Sequence, residues 1–244
     1  VIYMTTTMNR LPVSTWNPLG VNYAPASAAL PTVPADGWAK AEILSPALPA
    51  GVTAPAEADF DDFAASGMGA EADAWLAENA NLVNHLAVTG TADAPVVFEN
   101  TLDDDHPHAL TCLTIDAAEG SSLTIVQVVR GDAENGVSAN LTRIRAAEHS
   151  HVTLVQVQLL GSHARRWNAV AIEESTSARV EQVRIELGGA VVACGTRTLL
   201  NHNKCEYDLD AVYFGHGEDV LDFNDVSVHT GKDTLCEMHT AGVL

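Results

Sequence analysis

Five residues in the last fifth of the 244-residue chain have the types and spacing of metal ligands. His202 and Cys205 form a His-x-x-Cys pair, Cys236 and His239 form a Cys-x-x-His pair, and His229 lies just before the second pair. Thiolate and imidazole together suit zinc or an iron–sulfur cluster, and structural zinc takes four ligands, usually as two such pairs. Two half-sites on neighbouring strands could converge. Against this, residues three apart in a strand point to opposite faces, which would part Cys236 from His239. A small buried thiol beside a surface histidine is the simpler reading. The five therefore stand as tentative metal ligands.

The remaining polar constellations read more blandly. DDDHPH (Asp103 to His108) and EHSH (Glu148 to His151) carry ligand atoms but also have the character of polar loops between strands. Asp208 with Asp210, and Asp222 with Asp225, could serve as paired carboxylates for glycoside hydrolysis, and strand-edge or corner carboxylates are the plainer reading. There is no G-x-S-x-G elbow and no G-x-G-x-x-G fingerprint, and Gly231-Lys232 lacks the earlier glycine of a phosphate loop. No catalytic residue is assigned, and the chain is read as a non-enzyme that does not hydrolyse ATP itself.

Composition narrows the setting. Thirty-two acidic residues against 12 basic give a formal charge of −20. That excludes a phosphate-binding basic face and adhesion to anionic membranes, so neither nucleic acid nor membrane is expected as a partner. The four cysteines, Cys112, Cys194, Cys205 and Cys236, form no Cys-x-x-Cys pair and are too few for a disulfide framework, which points to reduced thiols. Cys112 in ALTCLTI and Cys194 in AVVACG sit in apolar runs and are expected to be buried and slow to react. VIYMTTTMNR shows no signal-peptide pattern and no apolar run approaches a membrane span, so a cytoplasmic location is expected.

The elements that must position these residues follow from patterning. Residues 1–82 read as an N-terminal arm and helical region. Prolines from Pro12 to Pro55 forbid long helix or central strand there, and Asp59 to Leu82 then reads as helix, anchored by Trp75 and Leu76. Residues 83–244 read as a β core. SLTIVQVV, HVTLVQVQLL, ARVEQVRIEL, YDLDAVYFG and DVLDFNDVSVH recur between Gly, Ser, Asn and Asp corners. In ARVEQVRIEL, Val183, Ile185 and Leu187 would share one face, opposite Gln182, Arg184 and Glu186, as in a strand with one buried face. In DVLDFNDVSVH the apolar parity switches, which suggests a corner near Asn224-Asp225. Leu123, Val152 and Val180 open comparable runs, 152−123 = 29 and 180−152 = 28 residues apart, with no crossover helix between them. Stacked coils of a solenoid satisfy both facts, and a β-sandwich is the rival.

From Leu110 onward the sequence resembles the SufB/SufD family of iron–sulfur cluster assembly scaffolds, closest to SufD. The residues that carry the resemblance are LTCLTIDAAEGSSLTIVQVV, ANLTRIRAAEHSHVTLVQVQLLG, RVEQVRIELGGAVVACGTRTLL and LDAVYFGHGEDVLDFNDVSVHTGKDTLCEMHTAGVL, with NRLPVSTWNPLGVN similar to the family's lead-in. NHNKCEYD departs from the family's Gly- and Ala-rich turn. The resemblance implies a mainly β fold, a right-handed parallel β-helix (solenoid) with a small N-terminal helical or irregular region. It implies a non-catalytic scaffold that acts with a SufB-like sister scaffold and a SufC-like ABC ATPase. It implies no tightly bound cofactor, only a transient Fe-S cluster in the full complex. Relatives continue past the position of Leu244, so the resemblance also implies truncation, with the ATPase docked through the missing C-terminal region. The family's cluster-building role is not carried over to His229, Cys236 or His239. An uncapped last coil would favour a homo-oligomer. A β-helix interaction protein without a cluster role, or an enzyme acting on polysaccharide, are the alternatives.

Overall fold

The structure, a computed structural model, describes residues 8–9, 37–38, 41–43, 47–57 and 62–244. Short strands β1 (Ala41–Ile43) and β2 (Val52–Thr53) precede helix α1 (Ala70–Asn79), and strands fill the rest of the chain. One sheet takes the odd strands β3 (Leu82–Val88), β5 (His108–Ala117), β7 (Val137–Ala146), β9 (Arg165–Glu174), β11 (Val191–Leu200) and β13 (Val220–His229). The other takes the even strands β4 (Val96–Leu102), β6 (Ser122–Gly131), β8 (His151–Leu160), β10 (Arg179–Leu187), β12 (Glu206–Phe214) and β14 (Leu235–Val243). We call them the odd and even sheets. Every pairing among these twelve strands is parallel, so the chain winds as a parallel β-solenoid of about six turns rather than a sandwich. Leu123, Val152 and Val180 are Cα partners in adjacent coils, as their spacing predicts. The crossover between them is a strand of the opposite sheet, which is why no helical pattern separates them.

The described parts of the N-terminal region seal the first coil. Strand β1 pairs antiparallel with β4, and β2 pairs antiparallel with β3. Both sheets thereby lose a free edge. The predicted helix is real but shorter. Residues 59–61 lie outside the described residues, and α1 begins only at Ala70. The preceding Gly67 lies against the backbone of Gly195, where a Cβ would sit 2.5 Å from the Thr196 nitrogen. That contact holds the segment in a turn. Beyond it, Leu76 is fully buried and Trp75 partly buried against Leu110, Cys112, Leu141 and Trp167 on the outer face of the odd sheet. Asp73 reaches back from the first turn to accept hydrogen bonds from the Ser66 amide and hydroxyl, at 2.7 and 2.5 Å.

Two expectations about strand faces are corrected. In β10 the buried residues are Val180, Gln182, Arg184 and Glu186, while Val183 and Ile185 are half-buried and Leu187 is exposed. The polar face is the inner one. Strand β13 has no corner at Asn224-Asp225, because it pairs residue for residue with β11 from Val220 to His229. Its register places Phe223 and Asp225 beside the inward Cys194 and Thr196, and Asn224 on the outer face, where it donates to the Gly67 carbonyl at 2.8 Å. The parity switch marks a polar interior, not a bend.

One corner of each coil is built alike. Gly120, His149, Ser177, Lys204 and Asp233 all have positive φ, between 56° and 65°. The amides of the first four each donate to a carbonyl of the next coil's turn. Four of the five positions bear side chains at a steric cost of roughly 1–2 kcal/mol. Replacing His149 by glycine should therefore change stability by less than ~1 kcal/mol, since relief of strain offsets the added freedom of the unfolded chain. His149→Val should cost about 2 kcal/mol, and denaturant midpoints of the two variants would check the contrast.

Candidate functional site

The solenoid interior is apolar at one corner and polar across the middle. Leu123, Ile125, Val152, Leu154, Val170, Ile172 and Val180 form the apolar part. Beside it, side-chain amides link successive coils. Gln156 donates to Gln127 at 2.8 Å, Gln182 donates to Gln156 at 2.9 Å, and the Tyr207 hydroxyl donates to Gln182 at 2.7 Å. From the odd sheet, Asn140 donates to Asn168 at 2.8 Å, and Asn168 exchanges hydrogen bonds with Gln156 at 3.0 and 3.1 Å. All but the half-buried Gln127 are buried, and each finds its partner on the coil above, the coil below or the facing sheet.

Charged groups continue this column. Arg184 is bidentate to Asp225, with Nη1 at 2.7 Å from Oδ1 and Nη2 at 2.8 Å from Oδ2, and its guanidinium lies 4.9 Å from the Phe223 ring centroid. Burial pulls the Arg184 pKa down, but the Asp225 hydrogen bonds and neighbouring anions outweigh it and keep the charge. Arg166, also buried, donates to the Ser138 hydroxyl at 2.9 Å. Glu186 lies in the field of both guanidiniums. Burial raises its pKa, and Arg166 and Arg184 oppose that rise. The Cys194 thiol donates to Glu186 Oε1 at 3.4 Å. Burial, reinforced by the Glu186 charge, pushes this thiol well above its ordinary value.

The chemistry open to this cluster is acid–base chemistry at sulfur. In the resting fold burial and the Glu186 charge keep the proton on Cys194, with Arg166 and Arg184 as the groups that oppose this. Of the buried cysteines, Cys194 bonds an ionisable side chain, whereas Cys112 and Cys205 bond backbone carbonyls. Cys112 donates to the Leu76 carbonyl, and burial pushes its thiol up to about 11. Cys112 and Cys194 are both buried, as their apolar runs predict.

The five tentative ligands are placed differently. Cys205 is buried at a solenoid corner, where its thiol points at the His202 carbonyl three residues back, at 3.1 Å. The Ser121 and Ser150 hydroxyls make the equivalent contact to Ala118 and Ala147, both at 2.7 Å. Cys205 thus does a corner serine's work, and His202 is an exposed turn residue. Cys236 is half-buried on the inner face of β14, beside Tyr207, whereas His239 is exposed on the outer face beside Asp210. His229 is exposed and hydrogen-bonded to Ser227 and Thr234, at 3.2 and 2.7 Å. Among the described residues no three His, Cys, Asp or Glu side chains gather as a metal-binding group. Asp222 and Asp225 face opposite sides of β13, so they do not frame one bond, while Asp208 and Asp210 share the outer face of the even sheet, where Asp208 is paired with Arg179. Sequence reasoning missed Arg166, put Arg184 and Glu186 on the solvent face, and read Asp225 as a corner carboxylate or a partner of Asp222. The available signal was the strictly alternating Gln182-Arg184-Glu186 face, read as solvated because its partners lie on other strands, 8 to 41 residues away.

A parallel β-solenoid with amides, an arginine–carboxylate cluster and a thiol inside it defines the structural class. The family model of the SUF system FeS cluster assembly, SufBD core domain, matches residues 100–244. The chain belongs to that family, and the matched residues run from within β4 to the last strand. No curated protein matches the chain. Among the described residues no helix is long and apolar enough to cross a membrane.

Two outcomes test the buried charges. Asp225→Leu strands Arg184, which is 1% exposed, and should cost about 3–5 kcal/mol. The Arg184→Met/Asp225→Leu double variant should recover most of that loss in urea unfolding. Glu174, buried at the inward end of β9, has its carboxyl raised from 4.5 to about 9, chiefly by burial. The folded state therefore holds a proton that the unfolded chain releases above pH 4.5, so stability falls as pH rises from 4.5 to 9. Glu174→Gln should remove that slope and raise stability at pH 8, relative to pH 5, by on the order of a few kcal/mol. Parallel pH profiles of variant and parent would refute this.

Proposed function

We propose that the chain is a non-catalytic, SufD-like scaffold subunit in SUF iron–sulfur cluster assembly. It acts in a cytoplasmic complex with a sister scaffold and an ABC-type ATPase, and the iron–sulfur cluster is its cargo rather than a resident cofactor. The observation that carries this reading is the SufBD core match over residues 100–244, which coincides with the solenoid coils. The Cys194–Glu186 pair, flanked by Arg166 and Arg184, supports it further. The pair is sheltered from solvent and has two guanidiniums beside it, which would offset part of the charge of a thiolate or persulfide, while burial and Glu186 keep the resting thiol protonated. Cys205, which caps a corner, supports the fold rather than the cargo.

The test is anaerobic reconstitution with ferrous iron and a sulfur donor, in the presence of a sister scaffold and the ATPase. The complex should develop the visible absorption of an iron–sulfur chromophore. Cys194→Ser or Glu186→Gln should lower its yield severalfold, whereas Cys205→Ser should leave it unchanged. A chromophore yield unaffected by omission of this chain would defeat the proposal.

A further inference from the structure

The two sheets differ in what covers their outer faces. Helix α1 and Met8 close over the odd sheet, and the small Ala139, Ala169 and Ala193 let them come near. The even sheet carries larger apolar residues and leaves them open. Val157, Ile185, Val212 and Ala241 form one column across the strands, and Leu159, Leu187, Phe214 and Val243 form the next. Leu159 is 45% exposed, Leu187 39%, Val212 46%, Phe214 48% and Val243 61%. A contiguous patch of this kind marks an interaction surface rather than ordinary scatter.

The border of the patch has a sign. Toward the strand starts, Glu181, Asp208 and Glu237 are register partners, with Asp210 one pleat nearer the patch. Arg179 lies among them, and bonds Glu181 and Asp208 at 2.8 Å each. Its single charge leaves the border net acidic. A shallow groove of about 300 Å³ runs along this border, past Val183 and His239.

We propose that the outer face of the even sheet docks an amphipathic helix of a partner protein, with its apolar stripe on the two columns and Lys or Arg along the acidic border. The four strands from β8 to β14 span about 14 Å, the length of roughly 10 helical residues. Helix α1 on the odd sheet shows the same mode of contact within this chain. A second copy of the chain is the less suited occupant, because it would bring one −20 molecule against another. The proposal does not depend on the iron–sulfur reading.

The probes are three 18-residue peptides of helical design: a leucine stripe flanked by Lys and Arg, the same stripe flanked by Glu, and a scramble of the first. Fluorescence anisotropy with the 244-residue chain should show the basic peptide binding at least tenfold more tightly than the other two, and more weakly in high salt. Ile185→Lys/Phe214→Lys should abolish binding while circular dichroism stays unchanged. The milder Leu187→Gln/Val212→Thr should weaken it severalfold, and Asp208→Asn/Asp210→Asn/Glu237→Gln should erase the preference for the basic peptide. Equal binding of acidic and basic peptides, or binding indifferent to both apolar variants, would overturn the proposal. So would a dimer in sedimentation that Ile185→Lys/Phe214→Lys dissolves without any peptide binding, since the face would then belong to a second copy.

Discussion

The structure rests on the need to satisfy polar side chains inside a narrow parallel solenoid. Gln156 and Gln182 are cut off from water, and with the half-buried Gln127 each meets the next across a coil boundary. That works only if successive coils stay in strict register, since a one-residue slip would turn every inward amide to the outside. The apolar corner alone would tolerate sliding, because Val on Val is nearly the same contact one coil along. The amide and charge column is what fixes the stacking, and loss of one member would leave its neighbours on both sides unpaired.

This constraint also explains the two outer faces. A coil whose interior is partly polar has less apolar area to drive its folding, and apolar residues are carried outside instead. On the odd sheet that outside is closed by α1, with Leu76 against Cys112 and its neighbours. Asn9 adds to the same face, donating to the Cys194 and Asp222 carbonyls at 3.2 and 3.3 Å. The N-terminal residues thus brace the backbone that carries Cys194. They link the cover of the odd sheet to the buried thiol behind it.

Much of the architecture was legible in the sequence because its signals are local. The recurring strands, the coil length between Leu123, Val152 and Val180, and the anchoring role of Trp75 and Leu76 all follow from period and composition. What was not legible depends on pairing across coils. Arg184 looks like a solvated residue until Asp225, 41 positions on, is placed beside it. The five candidate ligands looked related because they are close along the chain. Strand parity then separates Cys236 from His239, and the corner geometry gives Cys205 to a turn. Sequence proximity is a poor guide in a solenoid, where neighbours in space lie one coil apart.

The place of the thiol within the column follows the same logic. In one inward row of the odd sheet, Asn140, Asn168, Cys194 and Phe223 are successive register partners. In the even sheet one row reads Gln127, Gln156, Arg184, Ala211, and the next reads Val129, Gln158, Glu186, Tyr213. Amides thus give way to charge and thiol, and charge gives way to the aromatic pair of Tyr213 and Phe223, whose rings lie 5.4 Å apart. The order has a physical sense. The amides can donate or accept, so they adapt to whatever lies on either side. The guanidinium of Arg184 needs a carboxylate and an aromatic face, and Asp225 and Phe223 on one strand supply both. Cys194 falls where these two regimes meet, with dipoles behind it and fixed charges in front. One coil earlier, at Asn168, the neighbours are the amides of Asn140 and Gln156 as well as Glu186. One coil later, at Phe223, the neighbours are the Tyr213 ring and the face of the Arg184 guanidinium.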